Sequence, residues 1–168
     1  MFNQQEEDEK WMGEALAQAR LAHGLGEVPI GAVVVLGNLC IGQGFNQSIA
    51  KHDSTAHAEV VAIRNAGRCL RNYRLTETTL YVTLEPCCMC LGAMLHARIK
   101  RCVYAASDPK TGVAHTCDQL QDRHWALHRM RIEGGVMADE SSKLLRQFFK
   151  SRRRVAALSA TLSKSSSV

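Results

Sequence analysis

The order of elements written in this sequence predicts a three-layer α/β/α sandwich around a mixed sheet of about five strands. Three observations carry that expectation. Residues 29–36 (PIGAVVVL) form an apolar, β-branched run without polar alternation, as a strand buried on both faces does. Downstream of one hairpin, helix-length and strand-length segments alternate, which places helices on both faces of a sheet. The chain has 168 residues, 46% hydrophobic and 22% charged, enough for one substantial core and too ordered in composition for a disordered chain.

Taken in order, residues 8–23 predict an amphipathic helix, with Trp11, Ala15, Leu16, Ala19 and Ala22 near helical spacing and Gly24 and Gly26 as stops. Residues 29–36 are the first strand, Gly37-Asn38 the turn, and 39–45 the second arm of a hairpin. A polar loop over 46–55 leads to a helix at 58–70, and 79–84 (TLYVTL) is a strand. Pro86 opens a helix through residue 97. A strand over 101–105, a loop over 108–122 and a short strand over 130–133 follow. A last helix at 138–154 has Leu144, Leu145, Phe148 and Phe149 on its buried side. The domain therefore spans 1–158, and the Ser-rich stretch 159–168 is expected to be a disordered tail.

The helix at 87–97 is apolar nearly all round. It must be buried on more than one side, either at the centre of the domain or against another subunit. The second case would leave Leu91, Met94 and Leu95 as the face that a monomer exposes, and a homodimer is expected partly on that ground.

No run is long enough to span a membrane: the longest apolar stretch is about eight residues against the roughly 18 required. Glu6, Glu7, Asp8 and Glu9 stand where a secretory signal needs basic residues, so a cytoplasmic protein is expected. The seven cysteines, Cys40, Cys69, Cys87, Cys88, Cys90, Cys102 and Cys117, do not read as a disulfide framework. Charge is unevenly placed. Residues 141–168 hold seven Lys or Arg and no acid, while 1–140 hold 14 against 16 acids. Composition alone makes that end a solubilising surface; it can also meet phosphates.

Two short motifs carry chemistry, His57-Ala58-Glu59 and Pro86-Cys87-Cys88-Met89-Cys90. Cys87 and Cys90, three apart at a helix start, can both reach one ion, and the helix N-terminus favours their thiolates. His57 offers one imidazole nitrogen, and two sulfurs with one nitrogen suit zinc. Three protein ligands leave the fourth position open, as a catalytic zinc requires. On an ideal helix His57 and Glu59 would diverge by about 200°, so the pair must sit at an irregular helix beginning. Alternatives remain at this level. The Cys-x-x-Cys pair alone also fits a redox motif, and a structural zinc could recruit Cys88, His52, His96 or Cys102. Cys88 is otherwise expected to be a small buried apolar residue. His-x-Glu together with Pro-Cys-x-x-Cys is the signature of the zinc nucleobase deaminases.

From about residue 11 to 153 the chain closely resembles the bacterial-type tRNA-specific adenosine deaminases. The resemblance rests on residues 27–33 (EVPIGAV), 44–46 (GFN), 55–59 (TAHAE), 72–75 (NYRL), 80–87 (LYVTLEPC), 110–112 (KTG) and Phe148-Phe149. It implies a cytidine deaminase-like fold and the hydrolytic conversion of the wobble adenosine of tRNA to inosine, with a zinc-activated water and a glutamate proton shuttle. It implies one zinc per chain on His57, Cys87 and Cys90, with Glu59 as the shuttle. It further implies Asn46 as a base-reading amide, Asp108 as an acid near the substrate ribose, an anticodon stem-loop as partner, and a homodimer. Read without the resemblance, Asn46 and Asp108 are turn residues. The sequence departs from the family pattern at Ser54, Cys88 and Pro109 and over 113–117.

Overall fold

A computed structural model describes residues 3–116, 124, 126 and 128–165, with side chains as far as residue 159. Five strands form one sheet in the order β2-β1-β3-β4-β5. They are β1 (Gly31–Leu36), β2 (Leu39–Phe45), β3 (Thr78–Leu84), β4 (Arg101–Ala106) and β5 (Arg131–Gly134). β1 runs antiparallel to β2 and β3, and β3, β4 and β5 run parallel, so the sheet is mixed. The helices are α1 (Gln4–Gly24), α2 (Ser48–Lys51), α3 (Ala58–Leu70), α4 (Cys88–Ala97) and α5 (Ala138–Ser165).

The unbroken apolar character of β1 is the mark of a strand covered twice. Val34, Leu80, Val82, Cys102 and Tyr104 point to the face that α3 and α4 cover. Val33, Val35, Tyr81, Val103 and Ala105 point to the other face, where Trp11, Met12 and Ala15 of α1 lie on them. Period-2 alternation thus divides one apolar run between two cores. α5 shares the α1 side, where Phe148 meets the His23 ring edge-on at 5.9 Å.

Helix α3 lies close against β2 because small residues meet there. Gly42 and Gly44 on the strand face Ala58, Ala62 and Ala66, spaced one turn apart on the helix. A Cβ on Gly44 would stand 2.6 Å from the Ala58 carbonyl oxygen and 2.7 Å from the Ala62 nitrogen. The small-residue seam sets how near α3, and the residues at its start, approach the sheet.

Several expectations need correction. α1 begins four residues before position 8, because Asn3 and Glu6 form a capping box that satisfies its first amides. The loop expected over 46–55 contains α2, whose first amides donate to the buried Glu27 carboxylate, from Ile49 at 3.2 Å and Ala50 at 2.7 Å. α5 continues past Arg154 into the stretch expected as a tail. Residues 138–165 contain no Gly or Pro to stop it, and residues 166–168 lie outside the described residues. Phe149 is 45% exposed, so of the two phenylalanines only Phe148 anchors the helix. Leu91, Met94 and Leu95 are all buried within the single chain, under α3 and the sheet, so the exposed patch expected of a monomer does not exist. The loop over 108–122 is described to Thr116, and 117–122 lie outside the described residues.

Candidate active site

Two helix beginnings converge. His57 is the N-cap of α3 and Cys87 the N-cap of α4, both with extended backbone, and neither side chain caps its own helix. Because His57 is not yet helical, its ring is free of the helical wheel. Glu59, in the first turn, can therefore share its neighbourhood despite the two-residue spacing. Nδ1 of His57 lies 3.8 Å from the Cys87 sulfur and 3.5 Å from the Cys90 sulfur. A tetrahedral ion with Zn–S near 2.3 Å and Zn–N near 2.0–2.1 Å implies S···N edges of about 3.5 Å, which these distances match. All three ligand atoms lie within 4.8 Å of one another, and no other His, Cys, Asp or Glu among the described residues joins them. The residues present fit one zinc with three protein ligands. Cys88, expected to be buried, is exposed: as the first helical residue it turns away from the sulfurs on either side of it. Cys102 is buried in the core and stays outside the group.

Glu59 is 4% exposed. Burial pushes its carboxyl above the usual range, and the neighbouring Cys87 adds to the effect. The Cys90 thiol reaches this carboxyl, yet Glu59 is not a member of the ligand group. Hydrogen bonding from Cys90 lowers Cys87, while Cys90, the donor in that bond, is pushed up. His57 is raised through its bond with Cys87, against the effect of burial.

Asn46, 6% exposed, sits at the end of the hairpin. Its Oδ1 accepts the Ala58 amide at 2.9 Å, the first amide of α3, which His57 leaves uncapped. One half of the side chain therefore fixes the helix start, and Nδ2 makes no hydrogen bond within the described residues. Asp108 is engaged with its own turn. Its carboxylate accepts the Lys110 amide at 2.9 Å and the Thr111 hydroxyl at 2.6 Å. Burial raises this carboxyl, but those bonds outweigh it and hold it below the usual range.

One residue the sequence reading passed over is Glu85, 2% exposed and two positions before Cys87. Its carboxylate accepts amides from Asp108 at 3.1 Å, His115 at 2.8 Å and Thr116 at 2.9 Å, and the Thr116 hydroxyl as well. Burial would raise this acid; the Thr116 hydroxyl and the three amides bring it below the usual range. The available signal was an acid at the end of an apolar strand, directly before proline and without a cation beside it. Such a buried carboxylate has to be met by backbone amides.

The same constellation occurs in known proteins. The cytidine and deoxycytidylate deaminase zinc-binding region matches residues 5–106. The tRNA-specific adenosine deaminase of Haemophilus influenzae is 48% identical over 160 residues, 94% of this chain and 92% of that protein. A solved structure from work on A-to-I editing by tRNA:A34 deaminases at the wobble position superposes with a TM-score of 0.79 at 40% identity, covering 81% of this chain and 99% of that one. The guanine deaminase of Nitrosomonas europaea superposes at 0.71 with 25% identity, covering 83% of each chain. Among the described residues no helix is long and apolar enough to cross a membrane. With its mixed five-stranded sheet, its His57–Cys87–Cys90 group and this likeness along nearly its whole length, the chain belongs to the zinc-dependent cytidine and deoxycytidylate deaminase family and, within it, to the tRNA-specific adenosine deaminases.

Proposed function

We propose that the protein converts the wobble adenosine of tRNA to inosine by hydrolysis, releasing ammonia. The observation that carries this reading is a buried carboxyl, Glu59, beside a three-ligand group that no fourth side chain completes among the described residues. A purely structural zinc site needs no such acid and closes with four ligands.

His57, Cys87 and Cys90 would hold one zinc per chain. When bound, zinc supplies the Lewis acidity that makes a water nucleophilic near neutral pH. Glu59 takes one proton of the attacking water as the C6–O bond forms and delivers it to ring N1; it then takes the remaining proton from the C6 hydroxyl and passes it to the amine, so that C6=O forms as the C6–N bond breaks and ammonia leaves. Its raised affinity for protons suits a group that must both accept and return them. Asn46 contributes Nδ2 as a donor to an acceptor on the purine edge, its Oδ1 being held by Ala58. Asp108 would face the ribose from its turn. The adenosine must leave the stack of the anticodon loop to reach this site.

The basic end supplies affinity for the stem. Lys143, Arg146, Lys150, Arg152, Arg153 and Arg154 are all exposed on α5, and Phe148 fixes that helix to the body. Arg152 lies over the Phe148 ring at 5.6 Å, so part of the cationic face is held in place. Contacts of this kind carry affinity more than base choice. A homodimer rests on the family resemblance, now that Leu91, Met94 and Leu95 are covered within one chain; sedimentation giving only monomer at micromolar concentration would remove it.

Incubation with tRNA, followed by analysis of the wobble nucleoside, tests the function. Inosine at that position with release of ammonia is the expected result. Ammonia from free guanine, cytidine or deoxycytidylate, with none from tRNA, would place the protein among the free-base and nucleotide deaminases. Tight RNA binding without turnover would make it a zinc-stabilised binding module.

A further inference from the structure

Strands β3 and β4 are neighbours and run parallel, so the segments leaving their carboxyl ends emerge side by side. In open α/β sheets that end is where ligands bind. The segment leaving β3 is Glu85-Pro86-Cys87, which delivers a metal ligand. The segment leaving β4 is 107–116, with Asp108 as its second residue. Between the two the backbone is continuous in its bonding: the Glu85 amide donates to the Ala106 carbonyl at 2.8 Å, and the Val113 amide donates to the Pro86 carbonyl at 3.1 Å.

The Glu85 side chain closes the arrangement. It gathers donors from both ends of the loop, Asp108 at one and His115 and Thr116 at the other. The loop is thereby folded over a single carboxylate. No Lys or Arg pairs with that carboxylate among the described residues, so the loop's own amides supply its counter-charge. Gly112 fits against it for want of a side chain: a Cβ there would stand 2.5 Å from both Cδ and Oε2 of Glu85. Tyr104 adds a lateral hold through its hydroxyl, 3.0 Å from Nδ1 of His115. Gly112 and Ala114 turn inward, while Lys110, Thr111 and His115 stay exposed.

We propose that Glu85 is a positioning residue that pre-forms the 108–116 loop as the RNA-facing wall of the site. The inference rests on the RNA reading of the function. A loop ordered in advance does not have to be ordered at binding, so Glu85 acts on affinity for the nucleic acid and leaves the bond-making step to Glu59. A structural role alone would lower stability without dividing KM from kcat.

The test uses the zinc-loaded protein and Glu85→Gln. Glutamine keeps one acceptor but turns an N–H toward the Asp108 amide. Expected are one zinc per chain, amide exchange at 108, 115 and 116 faster by about tenfold or more, and KM for an anticodon stem-loop raised about tenfold with kcat within about threefold. Zinc loss with unchanged exchange in 108–116 would overturn the proposal, since Glu85 would then act through Cys87. A fall in kcat at constant KM, or no change in exchange, would overturn it too. Should Glu85→Gln fail to fold, Gly112→Ala disturbs the same contact from the loop side and is held to the same outcomes. Amide exchange needs no substrate. A parent protein inactive on RNA would therefore sink the functional reading, while the exchange arm still decides whether Glu85 holds the loop.

Discussion

Glu59→Gln removes one ionisable oxygen and preserves the size of the side chain. The parent carboxyl is 4% exposed, so buffer or bulk water cannot take over its proton traffic. The titratable groups that perturb it are Cys87, His57 and Cys90, the three ligand candidates, and none of them is free to shuttle protons once an ion is held. General acid–base catalysis contributes about 10²–10⁴ in rate, and here one group would serve water, N1 and the leaving amine, so the loss is placed at the upper end. A fall of about 10⁴ in single-turnover rate corresponds to about 5.5 kcal/mol in the barrier. Because Glu59 lies outside the ligand group, zinc content should remain one per chain, and folding should be intact by circular dichroism. The assay is single-turnover formation of inosine in an anticodon stem-loop, with metal analysis of the same preparation. A variant that retains zinc and turns over within a few-fold of the parent would refute the assignment of Glu59.

Three further outcomes are expected. Asn46→Asp keeps the acceptor for the Ala58 amide and loses the donor, so it should impair turnover with little loss of stability; Asn46→Ala should also cost about 1–3 kcal/mol in denaturant unfolding, because that buried amide loses its partner. Gly44→Ala places a Cβ 2.6 Å from the Ala58 carbonyl oxygen and should cost about 1–3 kcal/mol, with weaker zinc binding as α3 is displaced; a fully stable variant with parental zinc affinity would show that the seam is not tight. Replacing Arg152, Arg153 and Arg154 by Gln should weaken tRNA binding and flatten its log–log salt slope by about 0.7–0.9 per lost phosphate contact, with a smaller effect on a short anticodon-loop oligonucleotide.

The parts legible in the sequence are those set by local pattern. The hairpin turn at Gly37 and the extent of α3 follow from turn chemistry and periodicity, and Gly37 does take a positive φ of 57°. The ligand group was legible because Cys87 and Cys90 are close in sequence and His57-x-Glu59 supplies the complementary half. Burial of the outer side of an apolar helix is a different matter. The sequence of α4 states that Leu91, Met94 and Leu95 need cover, but not whether the same chain provides it. Glu27 and Glu85 were missed for a similar reason. Their partners lie 22 to 31 residues away and, apart from the Thr116 hydroxyl, are backbone amides, which leave no mark in residue identity. The turn role of Asp108 was visible as an alternative, since an Asx turn is a local event.

The small-residue seam between β2 and α3 separates two kinds of evolutionary freedom. Gly42, Gly44, Ala58, Ala62 and Ala66 contain no reactive group, yet any larger residue there would move the start of α3 and with it His57 and Glu59. The seam is accordingly a place where mutation is penalised without touching a reactive atom. In the segment after β4 the restriction falls on fewer positions: Gly112 and Ala114 are buried, with Gly112 against Glu85, while Lys110 and Thr111 are exposed. Variation can therefore gather at the exposed positions of that segment while the metal-holding frame stays put, provided the glycines and alanines under α3, and Gly112 against Glu85, are left alone.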